Sequence, residues 1–96
     1  SRQERLLMTI AGSPKKLAQD IASGFTMLSP PMLRSHTPSD LKTILFNLGQ
    51  VTRELRQEQI PLEDVMALKM RNMKLSRLHQ AEIVIRAYCK KQRIPL

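Results

Sequence analysis

An all-α fold, a four- to five-helix bundle in a single domain, is what this sequence predicts, and three observations carry the prediction. Apolar residues recur at three- and four-residue spacing along most of the 96 residues, the period of a helix face. No segment of useful length alternates apolar and polar residues with period two, so strands have no support. Helix-start signals, a Ser or Thr followed directly by Pro, stand in front of apolar-periodic stretches at Ser13-Pro14 and Thr37-Pro38. A chain of this length forms one core rather than two.

The elements follow in order. A first helix over 3–11 turns Leu6, Leu7 and Ile10 inward and stops at Gly12. Ser13 then caps a second helix over 14–24, with Pro14 at the first helical position, where its missing N–H is harmless. Leu17, Ala18, Ile21 and Phe25 form its inner row. The stretch 26–36, which contains Ser29-Pro30-Pro31, reads as a loop. Thr37-Pro38-Ser39-Asp40 is a capping box with Asp in the usual Glu position. Leu41, Ile44, Leu45, Leu48, Val51 and Leu55 make one stripe behind it, so a long helix over 38–58 follows. Ile60-Pro61 breaks that helix and starts a fourth over 61–72. Glu63 and Asp64 lie in its first turn, where the helix dipole favours them. Its inner face is Leu62, Val65, Met66, Leu68 and Met73. Ser76 caps a fifth helix over 77–92, with Leu78, Ala81, Val84, Ile85 and Tyr88 along one side. Lys90, Lys91 and Arg93 suit its C-terminal dipole, and Pro95 follows the end.

Composition narrows function. Hydrophobic residues at 42% and charged residues at 25% describe a chain able to bury a core, which excludes disorder along its whole length. The single cysteine, Cys89, excludes an internal disulfide framework and cannot build a zinc site alone. No apolar run reaches a membrane span and no leader is recognisable, which predicts an intracellular protein, cytoplasmic or nuclear. Beginning at Ser1, the sequence reads as a domain excised from a larger protein.

Charge is the least ordinary feature. Sixteen Lys and Arg against eight Asp and Glu give +8, and residues 69–96 hold eight of those bases with one acid, Glu82. Lys69, Arg71, Lys74 and Arg77 surround the predicted turn between the fourth and fifth helices. Arg86, Lys90 and Arg93 follow at i, i+4 and i+7, with Lys91 alongside and Glu82 placed to pair with Arg86. Such a surface attracts an acidic or phosphorylated protein segment, or alternatively the phosphate backbone of a nucleic acid. Only Phe25, Phe46 and Tyr88 are aromatic, which argues against recognition by base stacking. An adaptor or scaffold role on the basic C-terminal surface is therefore the leading expectation, with RNA or DNA binding second.

Apolar side chains off the inner stripes supply the anchors. Phe46 lies on the side of Lys42, Gln50 and Arg53; either another helix covers it, the expected arrangement, or it anchors a partner. Ile83 stands opposite Leu78 and Ile85. Met66 and Met73 are assigned to the core, and Met70 sits at the edge of the stripe. Self-association through such residues is a third expectation.

Catalytic chemistry has no constellation to work with. His36 and His79 have no carboxylate or cysteine at ligand spacing, and Cys89 beside Tyr88 reads as a buried, inert thiol. Adjacent Glu63 and Asp64 point about 100° apart on a helix, the wrong geometry for an acid–base pair. No Gly-rich phosphate loop or nucleophile elbow occurs. The expectation is a chain with no enzymatic activity, metal or cofactor.

Three short resemblances accompany these readings. Ser13-Pro14-Lys15-Lys16 resembles the minor-groove unit of basic chromatin tails and is also a proline-directed phosphorylation consensus, beside its plain role as a helix start. Lys69–Leu75 followed by Ala81–Lys91 resembles the helix B to helix A passage of pentatricopeptide repeats, which would imply single-stranded RNA as ligand. That similarity covers less than a third of the chain, and no second repeat is found at the required period, whereas a solenoid needs about three. The helix order and basic end are similar to small helical adaptor domains of transcription and viral replication proteins.

Overall fold

Every helix among the described residues starts behind a residue that can cap it. The computed structural model describes residues 13–96 and shows four helices there: α1 Pro14–Ser23, α2 Pro30–Leu33, α3 Pro38–Gln57 and α4 Val65–Lys91. Their N-caps are Ser13, Ser29, Thr37 and Asp64, and the first three are each followed by proline at the first helical position. The Ser13 hydroxyl accepts from the Lys16 N–H at 3.0 Å, and Asp64 accepts from the Ala67 N–H at 3.1 Å. At Thr37 the capping box closes in both directions, 3.1 Å into the Thr37 hydroxyl and 3.2 Å from the Thr37 N–H to Asp40. The helix expected over 3–11 lies outside the described residues.

α1, α3 and α4 pack against one another pairwise, and α2 adds one turn against α4. The core is apolar throughout: Leu17, Ala18, Ile21 and Ala22 from α1, Leu41, Ile44, Leu48, Val51 and Leu55 from α3, and Leu78, Ala81, Ile85 and Cys89 from α4. Leu28 and the fully enclosed Leu33 close it from the 24–36 segment. The all-α bundle is as expected, and the long stripe on α3 is buried as read except that Leu45 is only half-buried.

Four local expectations are corrected. The fourth and fifth helices are one helix of 27 residues. Ser76 lies inside it and exposed, because the surrounding Met, Lys, Leu and Arg favour helix and neither Gly nor Pro interrupts them. That helix begins at Val65 rather than 61: Pro61 opens a turn closed by the Asp64 N–H on the Pro61 carbonyl, and Asp64 becomes the cap. Phe25 is exposed rather than inward, since Gly24 at φ 85 ends α1 in the left-handed region and takes Phe25 off the helical period. The presumed loop 26–36 contains α2 and two core leucines.

α4 ends in the same manner as α1, with a less suitable residue. Ile94 donates to the Cys89 carbonyl at 2.8 Å and Arg93 to that of Lys90 at 3.2 Å, a closure that puts Arg93 at φ 58. Arg93 thus leaves the helix and does not continue the row of Arg86 and Lys90.

The described residues have a radius of gyration of 14.5 Å and extents of 47 × 33 × 19 Å. A compact body of this size has a radius nearer ~12 Å. α4 explains the excess. It is about 40 Å long, and its buried residues all fall between Leu78 and Cys89, so the turns from Val65 to Arg77 contribute no fully buried side chain.

Candidate interaction surface on α4

Seven bases and one acid lie within Val65–Lys91, yet they do not form one strip. Lys69, Arg86, Lys90, Lys91 and, beyond the helix, Arg93 are exposed, while Arg71, Lys74 and Arg77 are half-buried. Lys69 and Lys90 stand roughly 30 Å apart along the axis. Arg71 lies against the 58–62 connection, its Nε enclosed and without a partner. Lys74 faces the end of α3, in a cleft shared with Glu54 and Glu58. Glu82 and Arg86 form no ion pair; among the described residues the ion pairs are Lys15–Glu54 at 2.6 Å and Lys16–Asp20 at 3.2 Å. Both lysines of Ser13-Pro14-Lys15-Lys16 are thereby tied to carboxylates of this chain.

Arg77 is held in place. Its guanidinium donates from Nη1 to the Ala22 carbonyl at 2.9 Å, satisfying a group at the end of α1. It also lies under Gly24, where a Cβ would sit 3.2 Å from its Cζ. One of five N–H donors is used, so the guanidinium keeps capacity for a second acceptor.

The apolar residues of α4 give the surface its shape. Val65 and Met66 are each 67% exposed, Met70 52% and Met73 43%, so the inner face read for the fourth helix, Leu62 included, is open to solvent. Only Leu68 of that set is half-buried. The physical reason is length: α3 ends at Gln57, and among the described residues no other helix covers the outer side of these turns. Farther along, a groove of about 440 Å³ runs between α4 and the segment after α1, lined by Ile21, Gly24, Met27, Leu28, Ala81 and Val84, with Arg77 and Gln80 in its wall. A second of about 400 Å³ meets it at Val84 and is lined by Pro30, Ile83, Ala87 and Tyr88, with Arg34 and Lys91 at its rim. Among the described residues no carboxylate lines either groove.

Of the sequence-predicted anchors, Met70 and Ile83 belong to α4, whereas Phe46 does not join them. It is 62% exposed on α3, so the expected covering helix is not found among the described residues. Met27 and Gln80, which the sequence reading does not single out, line the first groove together with Val84, read there as part of the inner side of the fifth helix.

The titratable residues are scattered. His79 is exposed in mid-α4 rather than opening a helix, and His36 is half-buried beside α2, its Nδ1 3.0 Å from the Met32 carbonyl. Cys89 is buried, and burial pushes its thiol above the ordinary value of 9.0, which keeps it protonated at neutral pH. Among the described residues no three His, Cys, Asp or Glu side chains gather to hold a metal, and no helix is long and apolar enough to cross a membrane. No family model, curated protein or solved structure matches this chain.

Proposed function

We propose that this chain is a non-catalytic binding module that docks an acidic partner segment on α4. One observation carries the reading: a single helix combines a seven-to-one excess of basic over acidic residues with large apolar side chains left in solvent. Exposed methionines amid cations suit a peptide that offers both carboxylates and apolar side chains, since adaptable thioether surfaces pack against varied partners. The non-catalytic part is supported by position, because Cys89 is buried in the core while His36 and His79 sit on separate elements.

The competing ligand is a nucleic-acid backbone. The observation in its favour is the exposed cluster Arg86, Lys90, Lys91 and Arg93 at one end of α4. Salt separates the two, since phosphate binding falls steeply with ionic strength through counterion release while apolar contacts do not. Fluorescence anisotropy is measured across a salt series with an acidic amphipathic peptide, duplex DNA and hairpin RNA. The proposal expects peptide binding that survives physiological salt and weakens on Lys69→Glu with Lys91→Glu, two exposed cations of α4. Tighter binding to nucleic acid with a steep log–log slope, or peptide binding indifferent to those reversals, refutes it.

A further inference from the structure

We infer that the occupant of this surface is an acidic amphipathic helix of a partner protein, lying lengthwise along one flank of α4 with a carboxylate on Arg77. The inference rests on the docking role proposed above and specifies its site and ligand. Met66, Met70, Met73, Arg77, Gln80 and Val84 are spaced four, three, four, three and four residues apart, and the same alternation reaches Ala87 and Lys91. That period of 3.5 keeps a row on one side of a helix over many turns, the arrangement in which a second helix seats its side chains between those of the first. From Met66 to Lys91 the row runs for about 37 Å, the length of roughly 25 helical residues.

The two ends of the row differ. At the α4 N-terminus it is open and apolar, with Met66, Met70 and Met73 exposed. From Arg77 onward the segment after α1 rises beside it and makes the grooves around Val84. Arg77 sits where the two halves meet, fixed by the Ala22 carbonyl and by contact with Gly24. A fixed guanidinium binds a carboxylate with less ordering cost than a free one. A neutral helix would leave it facing apolar side chains.

Charge decides the sign of the partner. Among the described residues the grooves contain Arg34, Arg77 and Lys91 and no carboxylate, and Lys69 borders the open end. A second copy of this chain would bring a molecule of like charge, +8 on each, against these cations. An acidic helix meets the same row with opposite charge.

The test uses the full 96-residue chain and a designed 25-residue helical peptide with Leu at alternating three- and four-residue spacing and Glu elsewhere. A scrambled peptide of equal composition, duplex RNA and sedimentation of the chain alone complete the set. The designed peptide is expected to bind at micromolar concentration, the scrambled one at least about tenfold more weakly. Met70→Glu and Arg77→Gln should each weaken binding by about tenfold or more, while Phe46→Ser on α3 leaves it unchanged. Circular dichroism checks that each variant keeps its helices. If scrambled and designed peptides bind alike, or Met70→Glu has no effect, the lengthwise helix is refuted while the broader docking role stands. If no acidic peptide binds, both fall. A Met70-dependent dimer, or RNA binding that competes with and exceeds the peptide, overturns the inference by naming a different occupant.

Discussion

Replacing Gly24 with alanine should cost far more than one methyl group suggests, because two separate penalties meet at that residue. Gly24 has φ 85, where an L-residue loses about 1–2 kcal/mol to the clash of its Cβ with the backbone. The new Cβ would also lie 3.2 Å from Arg77 Cζ and 3.3 Å from Nε, closer than the guanidinium tolerates without moving. Any such movement works against the 2.9 Å bond from Arg77 to the Ala22 carbonyl. Losing a bond of that kind at a half-buried site removes about 1 kcal/mol. Together the substitution should destabilise by about 2–3 kcal/mol, which for a domain of this size lowers Tm by about 10 °C or more. Urea unfolding followed by circular dichroism gives the number. A cycle with Arg77→Ala separates the parts: in that background Gly24→Ala should retain the backbone cost and lose the rest, a coupling near 1 kcal/mol. A cost below about 0.5 kcal/mol, or additive single effects, would show that the Gly24–Arg77 contact does nothing.

Three further predictions concern other parts of the fold. Leu33→Ala should cost about 2–5 kcal/mol in urea unfolding, since the α2 leucine is fully enclosed; a loss under about 1 kcal/mol would mean that α2 is not part of the core. Arg93→Gly should raise stability by about 1 kcal/mol, because glycine accepts φ 58 without strain, and differential scanning calorimetry should show a higher Tm. Cys89 should resist alkylation at neutral pH in the folded chain and react fully once unfolded. Its raised thiol pKa also sets a pH sign: the associated stability is complete below the unfolded thiol value and is lost as pH rises through the folded one. Urea midpoints of wild type and Cys89→Ala should therefore converge in alkali.

The parts of the fold legible in the sequence are those governed by short-range chemistry. The Thr37–Asp40 capping box, the Ser13-Pro14 start and the α3 stripe are written within a few residues and appear as read. Ser29-Pro30 carries the same start signal, but the adjacent Pro31 and the brevity of α2 give the stretch the pattern of a loop. The break assigned near Ser76 shows the opposite limit: serine is as common at caps as it is tolerable inside a helix, and only the absence of Gly and Pro nearby distinguishes the two. Burial on α4 was misjudged for a tertiary reason. Val65, Met66 and Met73 have the spacing of an inner face, and that spacing does not reveal that α3 stops short of covering them. The charge surplus was legible, but its division depended on a longer helix: merging two helices spread the cations along and around α4.

One unbroken helix has a consequence for how its free end is kept in order. A helix is costly to start and inexpensive to extend, and the turns from Leu78 to Cys89, fastened into the core, act as the start. The methionine-bearing turns need only propagate from them, one backbone bond per residue, with no helix among the described residues covering their outer side. Amide exchange should accordingly slow along α4 from its first turns towards Cys89, grading smoothly instead of switching at a boundary. Under the docking role proposed above, a ligand arriving at Met70 would meet a ready-made rod and be spared most of the entropy of building one.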